Sequence, residues 1–452
     1  MKSSIRIFLA VSTASITLYG GWVEQMHIMQ GSGDDNLSFG RSMDVDGDYA
    51  VIGAPDEDGY ATDDGAVYVY KHEPNDTVTQ LSKISGYFKE KLGTDVAVKS
   101  CGTHLFIAAG APEYTFYNAK TGRTTYEDHI LLYDLNISDN SLNLFRVFND
   151  ANGTGLGKSV DLACLSECSF HPQIHCTAKG LIMAAGEENI DKVHTFIYNF
   201  VDENWTDLEL SGENAGDRFG HSVAMSSKLD LYVNANAARL IIGAPDIDGT
   251  GHVKRGAAYL YQFSGSDASD YTWGNQHILR RDDSGLLLQG THFNNYTRFG
   301  MSVDLTIDHA IVGALKESVS SDNVIVSPGE AVIYVLTNAN QNAWDRESIL
   351  PANSLGANLY GSSVAISDHM ALVGAPMNFN RGAAYLYEYN SSTSIWSYSE
   401  TLSNDRNGSN GTSVDFIQGK PMSGDPKNDV VTVYDFVEPI NTNPALLMYL
   451  LN

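Results

Sequence analysis

Acidic side chains at alternate positions are the first candidates for chemistry in this sequence. In "SFGRSMDVDGDYAVIGAP", Ser38 to Pro55, residues Asp44, Asp46 and Asp48 stand two apart around Gly47. Such carboxylates could share a hard cation, calcium above all, or they could simply turn the chain. Calcium takes about six to eight oxygen ligands, which needs a loop. Here the three acids run at once into Tyr49 and an apolar strand. A tight hairpin with Asp46-Gly47 at its tip explains the same letters and is the reading we adopt. A second acidic set follows Gly-Ala-Pro. "GAPDEDGYATDDG" offers Asp56, Asp58, Asp63 and Asp64, and "GAPDIDGTG" offers Asp246 and Asp248. Asp56, Asp58, Asp246 and Asp248 are candidate calcium ligands, set against a solvated loop whose acids serve turn chemistry.

Cys101, Cys164, Cys168 and Cys176 are the remaining reactive side chains. The stretch "CLSECSFHPQIHC" adds His171 and His175, so zinc is conceivable by residue type. The spacing fits no zinc pattern, and an even count in a secreted chain favours disulfides. We expect one bridge from Cys101 to a cysteine of the 164–176 segment and one within that segment, with three pairings open. No nucleophile motif, HExxH or phosphate-cradling glycine loop occurs. The acids are too numerous for one pair to stand out as acid and base.

The 452 residues carry a formal net charge of −27, with 55 acids against 28 bases. That balance argues against nucleic acid and anionic lipid as partners. Lys2 and Arg6 precede an apolar stretch from Ile7 to Leu18. This reads as a signal peptide over residues 1–20, with an uncleaved anchor as the alternative. No later run is long enough for a membrane-spanning helix. Asn-x-Ser/Thr sequons stand at Asn36, Asn75, Asn136, Asn152, Asn204, Asn295, Asn390, Asn407 and Asn410. They agree with a secreted or cell-surface glycoprotein.

The elements that would position these residues come from a repeat. Phe-Gly or a variant occurs at Phe39-Gly40, Leu92-Gly93, Leu156-Gly157, Phe219-Gly220, Phe299-Gly300, Tyr360-Gly361 and, worn, Asn410-Gly411. A strand follows each, then a second ending in Gly-Ala-Pro or its relic: "AVIGAP", "FIAAGAP", "LIMAAG", "LIIGAP", "AIVGAL" and "ALVGAP". A third strand such as "GAVYVY" or "GAAYLY" comes next. A fourth carries Trp205, Trp273, Trp344 or Trp396, with Val78 and Leu142 in the same slot of the first two units. Four short strands per unit, repeated seven times, predict an all-β, seven-bladed β-propeller. Trp22 lies ahead of the first Phe-Gly, so the N-terminal strand should complete the last blade and close the ring. The propeller would span residues 21–436, followed by a tail over 437–452.

This pattern resembles the FG-GAP repeat of integrin α-chain propellers, through Phe39-Gly40 with Gly53-Ala54-Pro55, Phe219-Gly220 with Gly243-Ala244-Pro245, and Tyr360-Gly361 with Gly374-Ala375-Pro376. The resemblance implies extracellular adhesion or ligand binding by upper-face loops, those after GAP and before FG. The partner would be an extracellular protein or glycan. Integrin-type repeats often hold calcium in the lower turn between the first two strands. Here the later glycine and closing aspartate of that loop are absent. The alternatives are a secreted hydrolase or lyase with an axial active site, and a structural matrix or cell-surface glycoprotein. Propeller folds host many functions, so fold alone does not choose among them.

Overall fold

The computed structural model describes residues 21–437 apart from 30–36, 60–61, 88, 119–122, 151–152, 171–173, 227–237, 248–254, 266–268, 281–294, 316, 319–328, 353–358, 379–380 and 405. The described chain forms seven four-stranded antiparallel sheets, plus one short two-stranded ribbon, Asn295–Tyr296 with Glu317–Ser318. A 3-10 turn spans Ala339–Gln341. Blade one contains Ser42–Asp46, Tyr49–Ala54, Ala66–His72 and Val78–Ser85, hydrogen-bonded in that order. Blades two to six follow in sequence, with first strands at Val96–Cys101, Val160–Phe170, Ser222–Ser226, Phe299–Leu305 and Val364–Ile366. Blade seven joins Val414–Ile417, Lys420–Asp425 and Val430–Val437 from one end of the chain to Gly21–Met29 from the other. Trp22 pairs with Phe436, so the ring closes by strand pairing as the repeat register demands.

Burial explains why the ring forms. The described residues form seven apolar clusters, each shared between adjacent blades. One sheet cannot cover both its faces; a closed stack covers all of them. Phe39, Phe219, Phe299 and Tyr360 of the FG motifs are fully buried. Phe39 sits edge-on to Tyr68, and Tyr360 to Tyr385, each a third-strand tyrosine of its own blade. Tryptophans of the fourth strand reach the preceding blade, Trp273 Nε1 donating to Thr195 Oγ1 at 2.8 Å and Trp396 Nε1 to Glu347 at 2.8 Å.

The glycines do steric work at two places. All seven FG glycines have φ between 86° and 92°, the region open to glycine. The GAP glycine lies against the FG glycine of the next blade. A Cβ on Gly374 would stand 2.1 Å from the Gly411 carbonyl oxygen. Blades touch backbone to backbone there, and no side chain fits.

Candidate functional site

The first strand of every blade lines the axis, and its side chains divide by position. Two residues after the FG glycine, six blades carry serine. Each serine hydroxyl donates to the FG glycine carbonyl of the next blade: Ser42 to Gly93, Ser159 to Gly220, Ser222 to Gly300, Ser302 to Gly361, Ser363 to Gly411 and Ser413 to Gly40, at 2.7–3.1 Å. Blade two has Asp95 there, and its carboxylate accepts from Val160 N of blade three at 2.8 Å. The belt is unbroken round the ring.

Four residues after the FG glycine, blades one, three, five and seven carry Asp44, Asp161, Asp304 and Asp415, while two, four and six carry Ala97, Ala224 and Ala365. Asp44 accepts from Val98 N at 2.6 Å, Asp161 from Met225 N, and Asp304 from Ile366 N at 2.7 Å. Asp415 is hydrogen-bonded by the Val45 amide. Each carboxylate thus bonds to the blade that follows. Burial pushes Asp161 and Asp95 up to about 7 and Asp304 to about 6. Burial, then repulsion within the ring, also raises Asp44 and Asp415 well above the ordinary aspartate range. Lys99 enters below: burial works against its ammonium, but Asp46, Asp161 and Asp44 outweigh that and hold it charged.

Above this acidic floor lies a cavity of about 640 Å³, walled by first strands and by the loops after GAP. Its mouth is set by the residue just after each FG glycine: Arg41, Thr94, Lys158, His221, Met301, Ser362 and Thr412. No two neighbouring blades present the same residue there. Lys158 and His221 converge on Glu188, at 3.2 and 2.6 Å, and Arg218 joins them. Burial disfavours the Glu188 carboxylate, yet His221 and Arg218 hold it down at about 2.

The sequence-derived candidates fall elsewhere. Asp44 and Asp46 point toward blade two, Asp46 accepting from Lys99 Nζ at 2.7 Å and from Ser100 N at 2.8 Å. Asp48 takes Gln418 of blade seven. The three do not form one donor set, so a calcium ion in the lower turn is not supported by their placement. The hairpin tip is Gly47-Asp48, with Asp46 paired to Tyr49, one residue on from the expected tip. Asp56 accepts from Ser38 and, at 2.9 Å, from Lys91. Asp58 caps the Asp63 amide at 3.0 Å. Asp246 faces Arg298 at 3.9 Å. Asp248 lies outside the described residues. Among the described residues, no three His, Cys, Asp or Glu side chains converge closely enough for a metal ion.

Cys101 and Cys164 form a disulfide between the first strands of blades two and three. Cys168 and Cys176 are backbone partners across the hairpin Val160–Phe170 and Ile174–Glu187. Asn75, Asn204 and Asn390 are exposed and Asn136 is half-buried, each in or next to a turn between third and fourth strands, and Asn407 is exposed in an upper loop. Asn36 and Asn152 lie outside the described residues, as does the side chain of Asn295. Asn410 corrects its expectation as a glycan site. It fills the phenylalanine slot of the worn repeat, is fully buried, and spends its amide on Leu402 O and Tyr434 OH at 3.3 Å.

Residues 22–70 match the FG-GAP repeat family. The same motif or its relic recurs in the other six blades. The chain is an FG-GAP β-propeller protein. A comparison with curated proteins finds no match. Among solved structures, this FG-GAP propeller is similar to a protein named as a 6-phosphogluconolactonase from Bacteroides uniformis, at 11% identity over 83% of this chain and 88% of that one, with a TM-score of 0.44. It is also similar to the periplasmic gluconolactonase PpgL of Pseudomonas aeruginosa, at 10% identity over 80% and 84% of the two chains, with a TM-score of 0.43. No helix among the described residues of the propeller is long and apolar enough to cross a membrane.

Proposed function

We propose that this FG-GAP propeller is an extracellular ligand-binding module of integrin-α-like type that recognises its partner, a protein or a glycan, at the upper mouth of the axial cavity. One observation carries the reading. Within a single chain the stapling position is serine in six blades, while the adjacent mouth position changes from blade to blade. A scaffold repeated with fixed staples and varied rim residues suits recognition. On this reading the chain is secreted or displayed at the cell surface. Turns between first and second strands, and between third and fourth, share the lower end. Glycans at Asn75, Asn136, Asn204 and Asn390 would clothe that end, and one at Asn407 would stand on the upper side beside blade seven.

The test is a glycan and extracellular-matrix array, run with and without a calcium chelator. The variant Arg41→Ala/Lys158→Ala/His221→Ala should lose the bound ligand, while Val201→Ser, at a lower turn and 72% exposed, should keep it. Undiminished binding by the triple variant would overturn the reading.

A second reading, a hydrolase or lyase with an axial site, has one observation in its favour. Asp95 and Asp161, at about 7, share a cavity with Arg41 and His221, and a group near neutrality suits proton transfer. Both acids also accept a main-chain N–H of the next blade, as staples do, so binding is the reading we prefer. Turnover of any hydrolase substrate that is lost in Asp161→Asn, with ligand binding retained, would reverse that preference.

A further inference from the structure

We propose that the axial cavity takes a compact oxyanion carried on an apolar body, with the oxyanion at Arg41, Lys158 and His221 and the body along blades five and six. The inference deepens the recognition reading above and rests on it. It begins with an unengaged cation. Arg41 is exposed at the mouth, and its guanidinium makes no hydrogen bond or ion pair within the described chain. Its charge reaches Asp56, which Ser38 and Lys91 chiefly hold low, and Asp95, where it offsets only a little of the burial that raises that carboxyl. A planar fork of donors with no protein partner matches a carboxylate or a phosphate. Lys158, Arg218 and His221 add to this side, since two permanent cations and an imidazole share the single carboxylate of Glu188. The local excess of positive charge stands out in a chain of net charge −27.

The other side of the same mouth is apolar. Met301 and Leu315 of blade five meet Leu359, Pro376 and Met377 of blade six in the cavity wall. Met377 is 60% exposed at the position after GAP, where blades one, two and four carry Asp56, Glu113 and Asp246. Leu359 has φ 59°, the left-handed turn that Ser38, Lys91, Arg218 and Arg298 also adopt just before the FG motif, so the repeat backbone itself holds this leucine at the cavity wall. The acidic floor does not cancel the mouth. Asp44, Asp161, Asp304 and Asp415 lie three residues further along their strands, roughly 10 Å deeper at about 3.3 Å per residue. Burial also favours their neutral forms. The cavity volume, about 640 Å³, falls in the range of small-molecule sites.

Calorimetric titration of the full chain tests this with octanoate, octyl phosphate, octanol and acetate. Octanoate or octyl phosphate should bind about tenfold or more tightly than octanol and acetate, as a charge-assisted bond plus apolar burial implies. The tighter of the two names the oxyanion. Arg41→Ala should bring the octyl anion down to octanol. Leu359→Gly, which suits the positive φ, should keep the melting temperature and weaken the octyl anion while leaving acetate unchanged. Octanol binding as tightly as both anions, or an octyl anion indifferent to Arg41→Ala, would overturn the proposal. The two readings fail separately. If no octyl anion binds while the array ligand is still lost from the triple mouth variant, the oxyanion assignment falls and recognition at the mouth stands.

Discussion

At the residue scale, the acids of this propeller act mainly as acceptors of main-chain N–H groups. Asp304 shows the pattern, taking Ile366 N across the blade boundary and Leu305 N on its own strand, both at 2.7 Å. Asp304→Ala would leave both amides unmade in a buried place and should cost about 1–3 kcal/mol in urea unfolding. Asp304→Asn keeps one acceptor oxygen and cannot ionise. Its stability should therefore vary less between pH 4 and pH 7 than wild type, where Asp304 sits at about 6. An unchanged pH slope would show that Asp304 ionises freely in the folded protein. The upper-loop acids behave alike: Asp64, 1% exposed, accepts from Lys89 N, and Asp191 accepts from Phe219 N. Asp429 takes Phe39 N at 3.1 Å, a partner at the far end of the chain.

At the scale of strands and blades, close approach and stapling work together. Gly374→Ala should destabilise by about 1–3 kcal/mol or prevent folding, since the Gly411 carbonyl cannot yield without moving a blade. Ser363→Ala at the same junction removes one hydroxyl donor and should cost only about 1 kcal/mol. Urea midpoints of the two variants give the comparison. Near-equal losses would mean that the blades are not in backbone contact. Much of this scale is legible in the sequence. Phe-Gly, Gly-Ala-Pro and the tryptophan slot fix strand order, and Trp22 foretells closure. The axial site is less so. "RSMDV", "MSVDL" and "TSVDF" against "HSVAM" and "SSVAI" already display the alternation of Asp and Ala. What they do not display is the partner, because Val98, Met225 and Ile366 are 54, 64 and 62 residues away. Arg41, Lys158 and His221 are individually ordinary residues, and only the aligned repeat sets them on one rim. Asn410 is the converse case. Its sequon reads as surface, yet Tyr434 OH and Ser423 Oγ make a polar pocket for it inside the worn blade.

For the whole molecule, the buried acids set the pH profile. Asp95, Asp161 and Asp304 have folded values of about 7, 7 and 6, above the roughly 4 of an unfolded aspartate. The folded state then binds more protons than the unfolded one between those values, so stability falls as pH rises from about 4 to about 7. His194, raised to about 10 by Asp207 and Glu187, contributes stability that is complete below about 6.5 and lost toward 10. Glu188, held at about 2, contributes above about 4.5 and is lost as pH falls toward 2. Together these make stability fall from about pH 4 to about pH 7, with Glu188 limiting it only below about 4.5, and thermal melts from pH 3 to pH 9 should show that fall. A maximum above pH 7 would mean that the axial acids are not raised. The central claim is the closed ring, which gives the staples their order and the mouth its seven contributors. Val23 and Asp435 are cross-strand partners in blade seven, from opposite ends of the chain. The double variant Val23→Cys/Asp435→Cys measures closure directly through thiol titration and mass after mild oxidation. Closure predicts a monomer in which both new thiols are joined within the chain and the melting temperature rises. Free thiols, or bridges only between chains, would contradict it.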